Sequence, residues 1–141
     1  MPIEVHSFQN GMGRVRVCRG VLSGKEIIAY NERIWSTKAY EGVRWLLIDA
    51  TATTTMDVSA AQVQQIKQQD DRLAAVLSEL VTAVVVPYDF GFGMVRMWEI
   101  LTERPGWSTR TFRARPEAEA WLREEVRRKF GMEIPAELSP P

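Results

Sequence analysis

Val43-Arg44-Trp45-Leu46-Leu47-Ile48-Asp49-Ala50-Thr51-Ala52-Thr53-Thr54-Thr55-Met56-Asp57-Val58-Ser59-Ala60-Ala61-Gln62-Val63 is the stretch on which the fold turns. Trp45 to Ile48 is continuously apolar, the pattern of a strand covered on both faces. The expected strand runs over 43–50. Four threonines follow in 51–56 and read as a loop. Ser59 with Gln62 forms a Ser-x-x-Gln capping box, so a helix starts at Ala60. A buried strand ends, a connector crosses the sheet edge, and a helix N-terminus points back at that edge. In open α/β sheets this crevice is where ligands and partners act.

Downstream, the helix is expected over 60–78, with Val63, Ile66, Leu73 and Leu77 on one stripe and a polar middle, 64–72, facing water. A β-branched strand over 80–86 stops at Pro87. The loop over 87–93 carries Gly91-Phe92-Gly93. A helix over 92–102 turns Met94, Met97 or Trp98, and Leu101 inward. Pro105-Gly106 ends it. A short strand over 108–113 leads to a last helix with Pro116 in its first turn, burying Ala118, Trp121, Leu122 and Val126. Gly131 closes that helix.

Upstream, 3–8 and 14–22 read as an antiparallel hairpin about Asn10-Gly11. Val15, Val17 and Val21 are expected inside, with Arg14, Arg16 and Arg19 outside. Ser23-x-x-Glu26 is a second capping box. The helix after it buries Ile27, Tyr30 or Asn31, Ile34 and Trp35, fading near 37–39. The order β-β-α-β-α-β-α-β-α predicts an α/β mixed sheet of about five strands and about four helices. Its N-terminal hairpin is antiparallel and its later β-α units are parallel. One domain covers 1–131, and 132–141, with three prolines, reads as a loose tail.

The chain has 141 residues, enough for one domain with a core. Eighteen basic residues cancel eighteen acidic ones, so charge gives no reason to expect nucleic acid. The basic cluster Arg123, Arg127, Arg128 and Lys129 is interleaved with Glu124 and Glu125 and reads as a solvated helix face. The single cysteine, Cys18, excludes an internal disulfide and suits a reducing compartment. The start lacks the marks of a signal peptide, and no apolar run nears the ~20 residues of a membrane span. The expectation is a cytoplasmic location without a transmembrane segment.

Catalytic chemistry is poorly supplied. His6 is the only histidine, far in sequence from Ser59 and Cys18, so a Ser/His or Cys/His arrangement has little to build on. One Cys and one His cannot supply most of a zinc shell. Asp49, Asp57 and Asp89 are expected near strand ends. They read either as an acid/base or cation cluster or, preferably, as local helix caps. Gly91-Phe92-Gly93 lacks the spacing of a phosphate-cradling loop. The five tryptophans mostly follow core periodicity, and the core reading outweighs an interface marked by one or two of them. No catalytic residue, metal or cofactor is expected.

Leu46-Leu47-Ile48-Asp49, then Met56-Asp57-Val58-Ser59-Ala60, resembles the STAS/SpoIIAA-like superfamily of anti-sigma factor antagonists. There a strand ends in Asp, and Asp-Ser-Ser-Gly opens the next helix at this separation. Met94 to Glu99, Phe112-Arg113 and Pro116-Glu117-Ala118-Glu119-Ala120-Trp121-Leu122 resemble the divergent SpoIIAA-like branch. Ser59 matches the serine that regulatory members have phosphorylated by a partner kinase, and Asp57 matches the Asp. Val58 replaces the first Ser and Ala60 the Gly. The resemblance implies a non-catalytic regulatory or protein-interaction module. Its partner is an anti-sigma-factor-like kinase, and its partner-binding or phospho-site residues are Ser59, Asp57, Asp49, Thr54 and Thr55. The alternative is a domain binding a small apolar molecule or lipid in a pocket near the third helix, at Tyr88, Asp89, Phe90, Phe92, Met94, Met97 and Trp98. A homo-oligomer stays open.

Overall fold

The computed structural model describes residues 3–35 and 38–138, with the side chains of 38 and 39 outside the description. The expected fading of the first helix therefore falls partly outside the described residues, as do the last three residues. The elements are β1 (Ile3–Phe8), β2 (Gly13–Ser23), α1 (Gly24–Trp35), β3 (Trp45–Asp57), α2 (Ala60–Ala74), β4 (Leu80–Val85), α3 (Asp89–Leu101), β5 (Trp107–Phe112) and α4 (Arg115–Phe130). Short 3₁₀ turns occupy Gln9–Gly11 and Lys38–Gly42.

The five strands lie in sequence order, β1-β2-β3-β4-β5. β1 pairs antiparallel with β2, and every later pairing is parallel. This is the expected mixed sheet with four helices. Successive right-handed crossovers between neighbouring strands, all progressing one way, put their helices on one face. Accordingly α1, α2 and α3 cover one face and α4 the other. Period-2 alternation divides the strands between the two layers. Val81, Ala83 and Val85 of β4 pack with Ala118, Leu122 and Val126 of α4. Val84 packs with Tyr30 and Val63 on the opposite face, and Leu80 there joins Leu73.

The expected threonine loop is strand. β3 continues to Asp57 because β2 stays beside it, pairing Arg19 with Ala52 and Ser23 with Asp57. Threonine, β-branched, suits that role. The register shifts between Val17 and Arg19 and again between Gly20 and Val21, each time with one extra residue on β3.

β2 also differs from expectation in where its arginines point. It is an inner strand with both edges paired, and α1 lies over the face that carries Arg16. Arg16 is buried, its guanidinium over the Tyr30 ring at 4.7 Å, while Arg14 lies over Tyr40 at 4.6 Å. Arg19 is exposed as expected, whereas Val21 is exposed rather than inward.

The C-terminal segment is docked over 132–138 rather than loose. Ile134 and Leu138 are buried in the α4-side core. Arg123 Nη1 donates to the carbonyls of Ile134 and Pro135 at 3.0 and 2.9 Å, and Arg127 pairs with Glu133. The basic side of α4 thus holds this segment in addition to facing water. Among the described residues no helix is long and apolar enough to cross a membrane.

Candidate functional site

β4 ends at Val85, opposite Asp49, so residues 50–57 of β3 run past it and pair only with β2. At the tip of this ribbon the N-termini of α1 and α2 meet. A Cβ built on Gly24 would meet the Gln62 side chain, so glycine there leaves room for the amide that closes the α2 capping box. Ser59 is the N-cap of α2 by the capping box its sequence predicts. Its Oγ accepts the Gln62 amide at 3.1 Å, and Gln62 Oε1 accepts the Ser59 amide at 2.9 Å. At α1, Ser23 Oγ accepts the Glu26 amide at 3.1 Å and donates to the Glu26 carboxylate at 2.9 Å.

Thr54, Thr55, Asp57 and Ser59 are all exposed on this rim. Thr53 turns inward, donating to the Ala50 carbonyl at 2.6 Å and bonding the Tyr88 hydroxyl at 2.8 Å. That bond ties the chain entering α3 to the overhanging ribbon.

Asp49 is not part of the rim. It faces the α4 layer, buried, and accepts from Arg115 Nη1 at 2.9 Å and from the Thr51 amide at 2.8 Å. The β3 rise alone separates it from Asp57 by about 20 Å or more. Asp89, at the first position of α3, is exposed and pairs with Arg113 at 2.7 Å. The three aspartates do not form one cluster, and among the described residues no group of His, Cys, Asp and Glu could hold a metal. Asp89 does not serve as a side-chain cap, since the N-cap of α3 is Tyr88. His6 lies 3.8 Å from Glu4 at the first strand. Burial pushes the Cys18 thiol up to about 11, which leaves it unreactive.

The expected pocket residues part company. Tyr88, Met94, Met97 and Trp98 pack into the core between α3 and the sheet. Phe90 is exposed, Phe92 lies under the Arg113 guanidinium at 4.4 Å, and Asp89 is engaged by the same arginine. Met94 and Trp98 line a cavity of about 110 Å³ between the sheet and α1, α2 and α3. That is less than the ~150 Å³ of a cavity that accepts a benzene.

Four polar side chains share this otherwise apolar wall: Arg16, Asn31, Asp70 and Thr82. Asn31 Nδ2 donates to Gln69 Oε1 at 3.1 Å, and Trp98 Nε1 donates to Asp70 Oδ2 at 2.6 Å. Burial pushes the Asp70 carboxyl up to about 7, against the Trp98 hydrogen bond and the charges of Arg104 and Arg16. The sequence reading placed Arg16 and Asp70 in water. For Asp70 the signal was present: it falls on the Val63, Ile66, Leu73 stripe at helical spacing.

No family model and no curated protein matches the chain. Among solved structures, an uncharacterized protein of the DUF3478 family from Shewanella loihica PV-4, which has a SpoIIAA-like fold, is similar with a TM-score of 0.52. It is 14% identical over 85% of this chain and 91% of that one. The anti-sigma factor antagonist SpoIIAA in its unphosphorylated form is 19% identical, with a TM-score of 0.49 over 89% of this chain and 97% of its own. At such identities the likeness is one of fold. With its antiparallel opening pair, parallel remainder and three-plus-one helix layers, this chain has the SpoIIAA-like fold.

Proposed function

We propose that the chain is a non-catalytic STAS-like regulatory module that binds a protein partner through the rim of Thr54, Thr55, Asp57 and Ser59. The observation that carries this reading is the exposure of these four side chains together, three on a ribbon that overhangs the sheet and Ser59 at the α2 N-cap just beyond it. Beyond Asp49, the β4-side edge of β3 has no neighbouring strand among the described residues. Unpaired strand edges and their side chains are a ready surface for another chain. Ser59 adds a hydroxyl at a helix N-terminus, where free amides and the helix dipole favour a phosphate. A partner of the anti-sigma-factor kinase type is the one the sequence resemblance implies.

The test has two parts. The Ser59 peptide of protein isolated from its native cells is examined by mass spectrometry for phosphate. Partner capture is then compared between the wild-type chain, Thr54→Arg and Ser59→Asp. A partner held by the wild type and lost from both rim variants supports the reading. Equal capture by all three overturns it.

A second reading is favoured by the cavity beneath α3: a domain that binds one small molecule.

A further inference from the structure

We propose that the cavity between the sheet and α1, α2 and α3 binds a short-chain aliphatic monocarboxylate, with Arg16 as the partner of its carboxylate. The inference rests on the small-molecule reading and names the ligand class.

Arg16 is a cation in the wrong place unless something answers it. It is 6% exposed, it lines the cavity, and its Nη2 has no hydrogen-bond partner. Beside it on β2, Arg14 also has an unpartnered buried Nε. Among the described residues neither arginine forms an ion pair. The groups that act most on Arg16 are two tyrosines, Tyr40 and Tyr30, and the Cys18 thiol, with Tyr40 also hydrogen-bonded to it, and among the described residues the one carboxylate that feels its charge is Asp70. Asp70 is the one carboxylate on the cavity wall, and it is engaged by Trp98. Its carboxyl, raised to about 7 by burial, is only partly ionised near neutral pH. A buried cation without its counter-charge is costly, and a charge-assisted hydrogen bond to an anion offsets that cost.

Size and lining set the rest of the ligand. At the volume per atom of a cavity that takes benzene, about 110 Å³ admits a molecule of ~4–5 heavy atoms. Asn31 adds an unpartnered buried acceptor, Oδ1, suited to a bridging water. The remaining wall is mostly aliphatic and aromatic, including Ile48, Met94 and Val95. One cationic fork in a mostly apolar chamber, with the unpartnered Trp35 Nε1 as a second donor, suits a carboxylate on a short alkyl chain. A second hollow of about 180 Å³ against α1 and α2 shares Asn31, Trp35 and Leu73 with the first.

The test is titration of the full chain with sodium propionate and, separately, with propionamide, its uncharged isostere. Calorimetry and the Trp98 indole N–H resonance are the readouts, at constant ionic strength. The expected result is saturable one-to-one binding of propionate with a shift at Trp98, and binding of propionamide weaker by ~10-fold or more. Arg16→Met removes the preference for propionate, whereas Arg19→Met, exposed on the same strand, keeps it. If Arg16→Met does not fold, the propionate-to-propionamide ratio on the wild-type chain still decides. Equal binding of the two overturns the role of Arg16 and leaves the cavity a neutral-ligand site. Binding of neither overturns the small-molecule reading as well. Octanoate is expected to bind more weakly than propionate, and tighter binding of octanoate overturns the short-chain site.

Discussion

Arg115 Nη1 donates to Asp49 Oδ2 at 2.9 Å, joining the middle of β3 to the first turn of α4. The same guanidinium donates to Glu119 at 2.8 Å and to the Leu138 carbonyl at 3.0 Å. One side chain thus ties together a central strand, a helix and the C-terminal segment. Removing one partner of a buried pair leaves the other charge uncompensated. Arg115→Met should cost about 3 kcal/mol in urea unfolding with an unchanged slope. Asp49→Asn should cost less, because Arg115 is partly exposed and keeps Glu119.

Asp70 makes stability depend on pH. Its folded-state carboxyl, near 7, lies above the ordinary 3.8. The folded form therefore holds a proton that the unfolded chain releases at lower pH. That contribution is fully present below about pH 4 and is lost as pH rises through about 7. Asp70→Asn should flatten the wild-type fall across this window by up to about 4 kcal/mol. Thermal unfolding of the two proteins at several pH values checks it, and parallel curves would count against a raised Asp70.

Ser59→Ala should cost about 1 kcal/mol, since it deletes the acceptor of the Gln62 amide. Ser59→Asp keeps a capping oxygen and should stay near wild type. Chemical denaturation of the three proteins separates the cap from any role in partner binding.

Two glycines should respond with opposite sign. A Cβ on Gly13 would land on the ring of the fully buried Trp45, so Gly13→Ala should destabilise by about 1–3 kcal/mol. Gly93 sits within α3 with open space around it, and Gly93→Ala should stabilise by about 0.5–1 kcal/mol. Melting temperatures moving in the same direction would contradict the packing at one of the two sites.

Leu138, buried against the α4-side core, ties down the C-terminal segment. Leu138→Ala should cost about 2–4 kcal/mol and raise hydrogen exchange over 132–138. A surface-like effect would mean that the segment is not docked.

The features legible in the sequence are those governed by neighbours along the chain. The Ser59 box closes between residues three apart, so Ser59 and Gln62 announce a helix start without knowledge of anything else. The apolar run 45–48 and the β-branched run 80–86 announce covered strands, and the alternation of elements announces a mostly parallel sheet. Exposure of Asp57 and Ser59 at the rim follows from that order.

Tertiary structure decided what depends on partners distant in sequence. Residues 51–57 are strand because β2 extends beside them, and threonine is at home in loop and strand alike. Arg16 is buried because β2 became an inner strand with α1 over it, which an alternating pattern of valine and arginine did not disclose. Asp49 left the rim for the opposite face because strand geometry carried it there and Arg115, distant in sequence, met it. Local hydrogen bonds and periodicity specified the elements, while the order of strands and the side each helix took determined which charges were buried.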